Sequence, residues 1–241
     1  LADALSREAC QFVDTAAAKE EPFFLYLAYN APHTPLEATE EDLALYQNIQ
    51  DEERRIYAAM VHAVDRGVGE LVRTLKTANE FENTLIIFLS DNGGKTSDGA
   101  TNFSFSKSKG SVFEGVIRVP MFCHWPRQLP GGERFEHPVS ALDFYPTFAH
   151  LAGAEVPESK QLDGVNFWPS FRAGENPRAN HPIFAMRHRG GISDVAVWLG
   201  PWKLVRFGGA KQGWSLFNLE DDIEETNDVS SSKQERVQQI Y

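Results

Sequence analysis

The sequence predicts an α/β domain built on a mostly parallel sheet, followed by a small carboxyl-terminal antiparallel β subdomain with a helix. Three observations lead there. Two almost wholly apolar runs, residues 23–29 (FFLYLAY) and 85–90 (LIIFLS), have the character of strands buried on both faces, as in parallel sheets. Between them Ile56, Met60, Val64, Val68, Leu71, Val72 and Leu75 recur at helical spacing, marking one apolar face of a long helix. Beyond Leu162 the texture changes to frequent Pro and Gly with short aromatic-rich runs, the signature of antiparallel hairpins. The α/β part is assigned to residues 1–172 and the subdomain to 173–241.

Leu5, Ala9, Phe12, Val13 and Ala16 repeat at helical spacing, so residues 3–19 are expected to form an amphipathic helix that Glu21-Pro22 ends. The run 23–29 stops at Asn30-Ala31-Pro32-His33-Thr34-Pro35. The two prolines stiffen this loop and hold His33 just past the carboxyl end of the expected strand. Strand, helix and strand in this order make a βαβ unit with a right-handed crossover. Both carboxyl ends then fall on one sheet edge, where open α/β sheets bind ligands.

The second run ends in Asp91-Asn92-Gly93-Gly94. Asp91 and Asn92 offer hard oxygen ligands of the kind Ca²⁺ or Mg²⁺ prefers, and the same residue types also cap helices. His33 and Asp91-Asn92 are therefore expected to share a site. Residues 95–111 form a long polar loop carrying Lys107 and Lys109, which are either solvated cations or aimed at an anionic substrate. A third short strand is expected over 118–123, near an edge because of Pro120. A helix over 139–152 is entered through Ser140 and Asp143 and stopped by Gly153.

Subdomain strands are expected at 183–186, 195–199, 202–207 and 214–219, with a short polar helix over 230–241. Arg187-His188-Arg189, at a strand end, is either a solvated basic turn or a contact to an anionic sugar. The acidic run 220–225 has the look of a solvated turn, Asp163 of a turn residue and His62 of an exposed one.

The formal net charge of −11, from 23 Lys+Arg against 34 Asp+Glu, and the lack of a basic stripe exclude nucleic acid as a bulk partner. The two cysteines, Cys10 and Cys123, make no disulfide framework. No apolar run approaches the roughly 18 residues of a membrane helix. The opening residues lack a signal-peptide pattern and resemble a helix entered partway, so the chain is expected to be a piece of something longer.

Seven stretches, in order, carry a resemblance: 22–36 (PFFLYLAYNAPHTPL), 57–75 (YAAMVHAVDRGVGELVRTL), 83–94 (NTLIIFLSDNGG), 108–120 (SKGSVFEGVIRVP), 142–157 (LDFYPTFAHLAGAEVP), 162–171 (LDGVNFWPSF) and 214–228 (WSLFNLEDDIEETND). Together the chain resembles the type I sulfatases of the alkaline phosphatase superfamily. A finer likeness to the arylsulfatase B-like branch lies in residues 40–61 and the Gly-Ala-Thr-Asn loop before Lys109. The resemblance implies part of an alkaline phosphatase-like α/β/α sandwich and hydrolysis of sulfate esters, with a sulfated carbohydrate or aryl sulfate as substrate. It implies that Asp91 and Asn92 are two ligands of a single Ca²⁺, that His33 contacts the sulfate, and that Lys109 contacts sulfate and leaving oxygen. A periplasmic, secreted or lysosomal location goes with the family.

The family's nucleophile is a formylglycine made within a Cys/Ser-x-Pro-x-Arg motif, which this sequence lacks. In Cys123-His124-Trp125-Pro126-Arg127 the proline stands one place late. The family's amino-terminal aspartates, Lys and His are also absent, and Val116 replaces the second glycine of the usual Glu-Gly-Gly. The resemblance thus implies a missing amino-terminal segment supplying nucleophile and remaining ligands, without which the chain is inactive. Two other readings stay open: a phosphate or phosphonate ester hydrolase of the same superfamily, against which Asn92 argues, and a non-catalytic truncated relative.

Overall fold

The computed structural model describes every residue except Glu20 and Arg189, with backbone alone for Ile192 and Ser193. The chain divides into two compact units: Leu1–Asn102 with Val119–Gly131, and Phe103–Arg118 with Gly132–Tyr241. The sequence boundary expected at 172/173 falls inside the second unit.

In the first unit the amphipathic periodicities become helices α1 (Ala2–Ala17) and α3 (Glu52–Thr77). They bury Ala9, Val13, Ala59, Met60, Val64 and Leu75. Gly67 permits their approach: a Cβ there would lie 2.1 Å from Ser6 Oγ and 2.6 Å from Tyr29 Oη. Those two hydroxyls share a 2.8 Å hydrogen bond, so the end of the run 23–29 is tied to α1. Asp51 caps α3 by accepting from Arg54 N, and Thr39 caps the short α2 (Glu40–Ala44) by accepting from Asp42 N. Buried Asp42 pairs with Arg66 of α3, and Arg66 also reaches Asp3 of α1 at 2.9 Å. One guanidinium thus joins three helices.

The expected parallel ladder does not form among the described residues. Residues 85–90 yield β1 (Ile86–Leu89), which pairs antiparallel with β2 (Met121–His124) in the register Ile86↔His124 to Leu89↔Met121. The chain returning after Pro120 supplies the neighbour, and Ser90 N donates to Pro120 O at 3.2 Å beyond the ladder. Residues 23–29 belong to no sheet, and their burial has the period of two of an extended chain. They alternate in burial, with Phe23, Leu25, Leu27 and Tyr29 turned inward while Phe24 and Tyr26 are 69% and 82% exposed. The α/β class stands, but the double-sided burial expected of both runs is not seen: run 23–29 has one covered face, and β1 is half-buried with Phe88 exposed.

The second unit is built on an antiparallel meander in the order β3 (Ile183–His188), β4 (Ile192–Leu199), β5 (Trp202–Arg206) and β6 (Ser215–Asn218). Ala196, Val205 and Phe217 pack on Val112 and Phe113, which precede the short helix α4 (Glu114–Ile117). Val197, Leu204 and Leu216 are buried as well, so the central strands are covered on both sides. Ser140 and Asp143, the expected entry residues, form a capping box at the 3₁₀ turn Ala141–Asp143 that leads into α5 (Phe144–Leu151), and Gly153 follows with a left-handed φ of 68°. Asp143 also makes a buried pair with Arg178. Helices α6 (Trp168–Ala173) and α7 (Gln234–Ile240) complete the unit.

The Asp42–Arg66 pair gives a pH test. The hydrogen bond from Arg66 holds the Asp42 carboxyl below its ordinary value of 3.8. A depressed carboxylate stabilises the fold above its unfolded value and loses that contribution as pH falls through the folded one. Asp42→Asn is expected to lose about 1–3 kcal/mol at pH 7 and less at pH 3, below the unfolded value. Urea titrations at the two pH values check this; equal losses at both would refute it.

Candidate functional site

His33 lies on the exposed loop after the extended run, its backbone N donating to Asn30 O at 2.9 Å. Its Nδ1 is 2.8 Å from Thr34 O. A carbonyl only accepts, so this contact places a proton on Nδ1 and leaves Nε2 as the nitrogen that meets a ligand. His33 is also close enough to Asp98 to help hold that carboxyl down, an effect owed first to the hydrogen bond from Lys95.

Asp91 and Asn92 follow β1 after Ser90. Asn92 Nδ2 donates to Asp91 Oδ1 at 3.0 Å, and Ser90 Oγ donates to Asn92 O at 3.0 Å. No helix begins at this pair: the next element is a 3₁₀ turn, Thr96–Asp98, entered at Lys95. The capping alternative therefore lapses. With the amide nitrogen engaged, Asn92 Oδ1 stays available beside the Asp91 carboxylate, a donor pair that suits a hard cation. It is only a partial shell, since Ca²⁺ takes about six to eight oxygens and no group of three His, Cys, Asp or Glu that could hold a metal occurs among the described residues.

The loop beyond is more ordered than its polar composition suggests. Asn102 brackets Gly94, accepting from its N at 2.8 Å and donating to its O at 2.9 Å. Arg54 Nη1 donates to Gly99 O at 2.9 Å. Gly99 has φ +80°, and a side chain there would strike the backbone of Glu53 and Arg54.

Lys109, half-buried, sits in the second unit with Arg187 and His188. Gly110, at φ +98°, lies against the Arg187 guanidinium: a Cβ would be 3.1 Å from Arg187 Nη2. Arg187 pairs at 3.4 Å with Asp194, whose other oxygen accepts from Gly208 N at 2.8 Å. The β3–β4 register shifts between Arg187 and His188, an irregularity of the kind that re-aims side chains. Arg187 is thus a braced cation beside the Lys109 turn and not a solvated one, whereas His188 is exposed. Arg189 lies outside the described residues. Lys107 rests over the Phe113 ring, 5.6 Å from its centroid.

Two further sequence readings are corrected. The run 220–225 is not simply solvated, because Glu225 is buried. Its Oε2 accepts from Ser106 Oγ at 2.9 Å and Glu114 N at 2.7 Å, and its Oε1 is 2.6 Å from Lys203 Nζ. His62 is half-buried and in contact with the Tyr46 hydroxyl at 3.2 Å. Sequence reasoning also missed Asn102, Asp194 and Lys203. Only Asn102 left a trace, as the polar end of the Gly-Ala-Thr-Asn stretch.

Residues 1–154 match the Sulfatase family model. The chain belongs to the sulfatase family. A second model, N-sulphoglucosamine sulphohydrolase, C-terminal, matches residues 105–240. The chain is 33% identical to arylsulfatase J of Mus musculus over 80% of its own length and 35% of that protein's. It is 32% identical to N-acetylgalactosamine-6-sulfatase of Canis lupus familiaris over 88% and 39% of the respective lengths. Among solved structures, Ps i-CgsB in complex with k-i-k-neocarrahexaose superposes with a TM-score of 0.95 at 56% identity, covering 100% of this chain and 53% of that one. The putative sulfatase yidJ from Bacteroides fragilis shares the fold, with a TM-score of 0.78 at 22% identity, over 99% and 56% of the two chains. This sulfatase chain therefore spans well under half the length of these curated relatives and about half of these structures.

Cys123 opens the stretch Cys123-His124-Trp125-Pro126-Arg127, in which the proline stands one place late. The cysteine lies within β2 opposite Ile87, and burial pushes its thiol up to about 11. A protonated, half-buried thiol is a poor nucleophile. Iodoacetamide at pH 7.5 is expected to label Cys123 at least about tenfold more slowly than a free cysteine with its usual pKa near 8.5. Peptide mass spectrometry over time measures this; labelling as fast as glutathione would contradict the burial.

Proposed function

We propose that this chain is the carboxyl-terminal part of a sulfuric ester hydrolase that acts on a sulfated carbohydrate. The observation that carries the proposal is the 56% identity over the whole chain to Ps i-CgsB, a protein crystallised with k-i-k-neocarrahexaose. The likeness to N-acetylgalactosamine-6-sulfatase points to the same substrate class.

In this reading Asp91 and Asn92 hold one Ca²⁺, His33 and Lys109 bind the sulfate group, and His188 contacts the sugar side of the substrate. Bound Ca²⁺ would supply Lewis-acid stabilisation of charge on the sulfate oxygens. The Lys109 ammonium neutralises charge that shifts towards the leaving oxygen. His33, with Nδ1–H engaged by Thr34 O, presents Nε2 to the sulfate and delivers a proton from it when protonated. The formylglycine nucleophile and the other metal ligands belong to an amino-terminal segment of the same protein, and this chain alone is inactive.

The test is kinetic. In the complete enzyme, His33→Ala and Lys109→Ala are each expected to lower kcat for sulfate release by about 10²–10³-fold. Asp91→Ala should weaken Ca²⁺ binding measured by calorimetry, and a chelator should abolish turnover. Preference for aryl phosphate over aryl sulfate would move the protein to the phosphohydrolase branch. Failure to turn over either ester would mark a non-catalytic relative.

A further inference from the structure

We infer that Arg187 on β3 and Glu225 in the loop after β6 are positioning residues for Lys109, gripping its loop from two sides; the inference rests on the role proposed for Lys109. The segment Phe103–Arg118 is packed with the second unit although its sequence neighbours on both sides, up to Asn102 and from Val119, belong to the first. Val112 and Phe113 anchor it in the core, and two polar contacts fix its course on either side of Lys109.

The first is one carboxylate oxygen. Glu225 Oε2 accepts from Ser106 Oγ, three residues before Lys109, and from Glu114 N, five after it. Gly115 N closes the same span by donating to Ser106 O at 3.0 Å. Gly115 has to be glycine, since a Cβ would lie 2.3 Å from that carbonyl. Glu225 takes a left-handed φ of 54° to reach inward, a conformation disfavoured for a residue with a side chain. Its charge is offset by fully buried Lys203, which also meets Glu114 Oε1 at 3.0 Å. Glu114 Oε1 further accepts from Trp198 Nε1 at 2.8 Å.

A buried ion cluster is poor evidence of stabilisation, because apolar side chains of like volume serve as well or better. An apolar residue at 225, however, could not accept from two separated points on one loop. The cluster's distinctive capacity is therefore to fix where the loop runs. The second contact acts at the tip: the Arg187 guanidinium, braced by Asp194, lies against Gly110, the residue after Lys109. An ammonium that stabilises developing charge must be held closely, and a displacement of about 1 Å can cost about 10²-fold in rate.

The test uses the complete sulfatase and sulfate release. Arg187→Ala and Glu225→Gln are expected to lower kcat by about 10- to 10²-fold with little change in KM, and Arg187→Lys to recover part of the loss. Hydrogen exchange of the amides at 106–113 should accelerate in both loss variants while the β4 and β5 amides stay protected. If Glu225→Gln does not fold, Arg187→Ala carries the test. A raised KM at unchanged kcat for Arg187→Ala would assign Arg187 to direct substrate binding and overturn its positioning role. Wild-type kcat in the folded variants, with Lys109→Ala inactive, would overturn this inference alone. Wild-type kcat in Lys109→Ala would overturn the proposed role of Lys109 and this inference with it.

Discussion

The second unit depends on a buried ion cluster, Glu114–Lys203–Glu225. Lys203 stands on β5 at the centre of the meander, with no exposed surface. Burying an ammonium is strongly unfavourable unless it is paired and hydrogen-bonded. Here two carboxylates meet it, and its Nζ also lies 4.4 Å from the centre of the Trp198 ring. Because Glu114 and Glu225 come from opposite ends of the unit's sequence, satisfying Lys203 requires both to arrive. The lysine therefore specifies which distant segments meet over the sheet, a task that apolar packing alone leaves less defined.

The first unit is organised differently. Its helices meet through small residues and hydroxyls, with Gly67, Ser6 and Tyr29 at the closest approach. Its charged contact, Arg66 with Asp42 and Asp3, lies nearer the surface. The donors proposed to face the sulfate and the cation sit on loops that leave this framework: His33 after the extended run and Asp91-Asn92 after β1. Loops carry such groups well when a rigid scaffold fixes their ends, and here Tyr29 and the β1–β2 ladder fix them.

Periodicity made the helices and the meander legible. Residues 3–19 and the long apolar face ending at Leu75 gave α1 and α3 nearly to their ends, and the four aromatic-rich runs gave β3 to β6. The family was legible because seven stretches occurred in order. Strand partnership was not legible: a fully apolar run looks the same beside a parallel or an antiparallel neighbour, and only coordinates show residues 121–124 returning against β1. Glu225 was hidden for a related reason. In an acidic run every carboxylate looks solvated, and the contact that buries this one comes from 111 residues away. Arg187 was seen, but its brace Asp194 lies across a hairpin and carries no motif.

The alternating run 23–29 has a practical consequence. It belongs to no sheet and holds most of Phe24 and Tyr26 in solvent. Phe122 on β2 is likewise 65% exposed. Such aromatic, strand-prone edges recruit other chains of the same kind. Pro22 and Pro32 bracket the run as gatekeepers that limit how far a foreign strand can zip along it. Anyone preparing the polypeptide in isolation should therefore plan for concentration-dependent clumping, and a single charge at position 24 or 26 is the economical remedy.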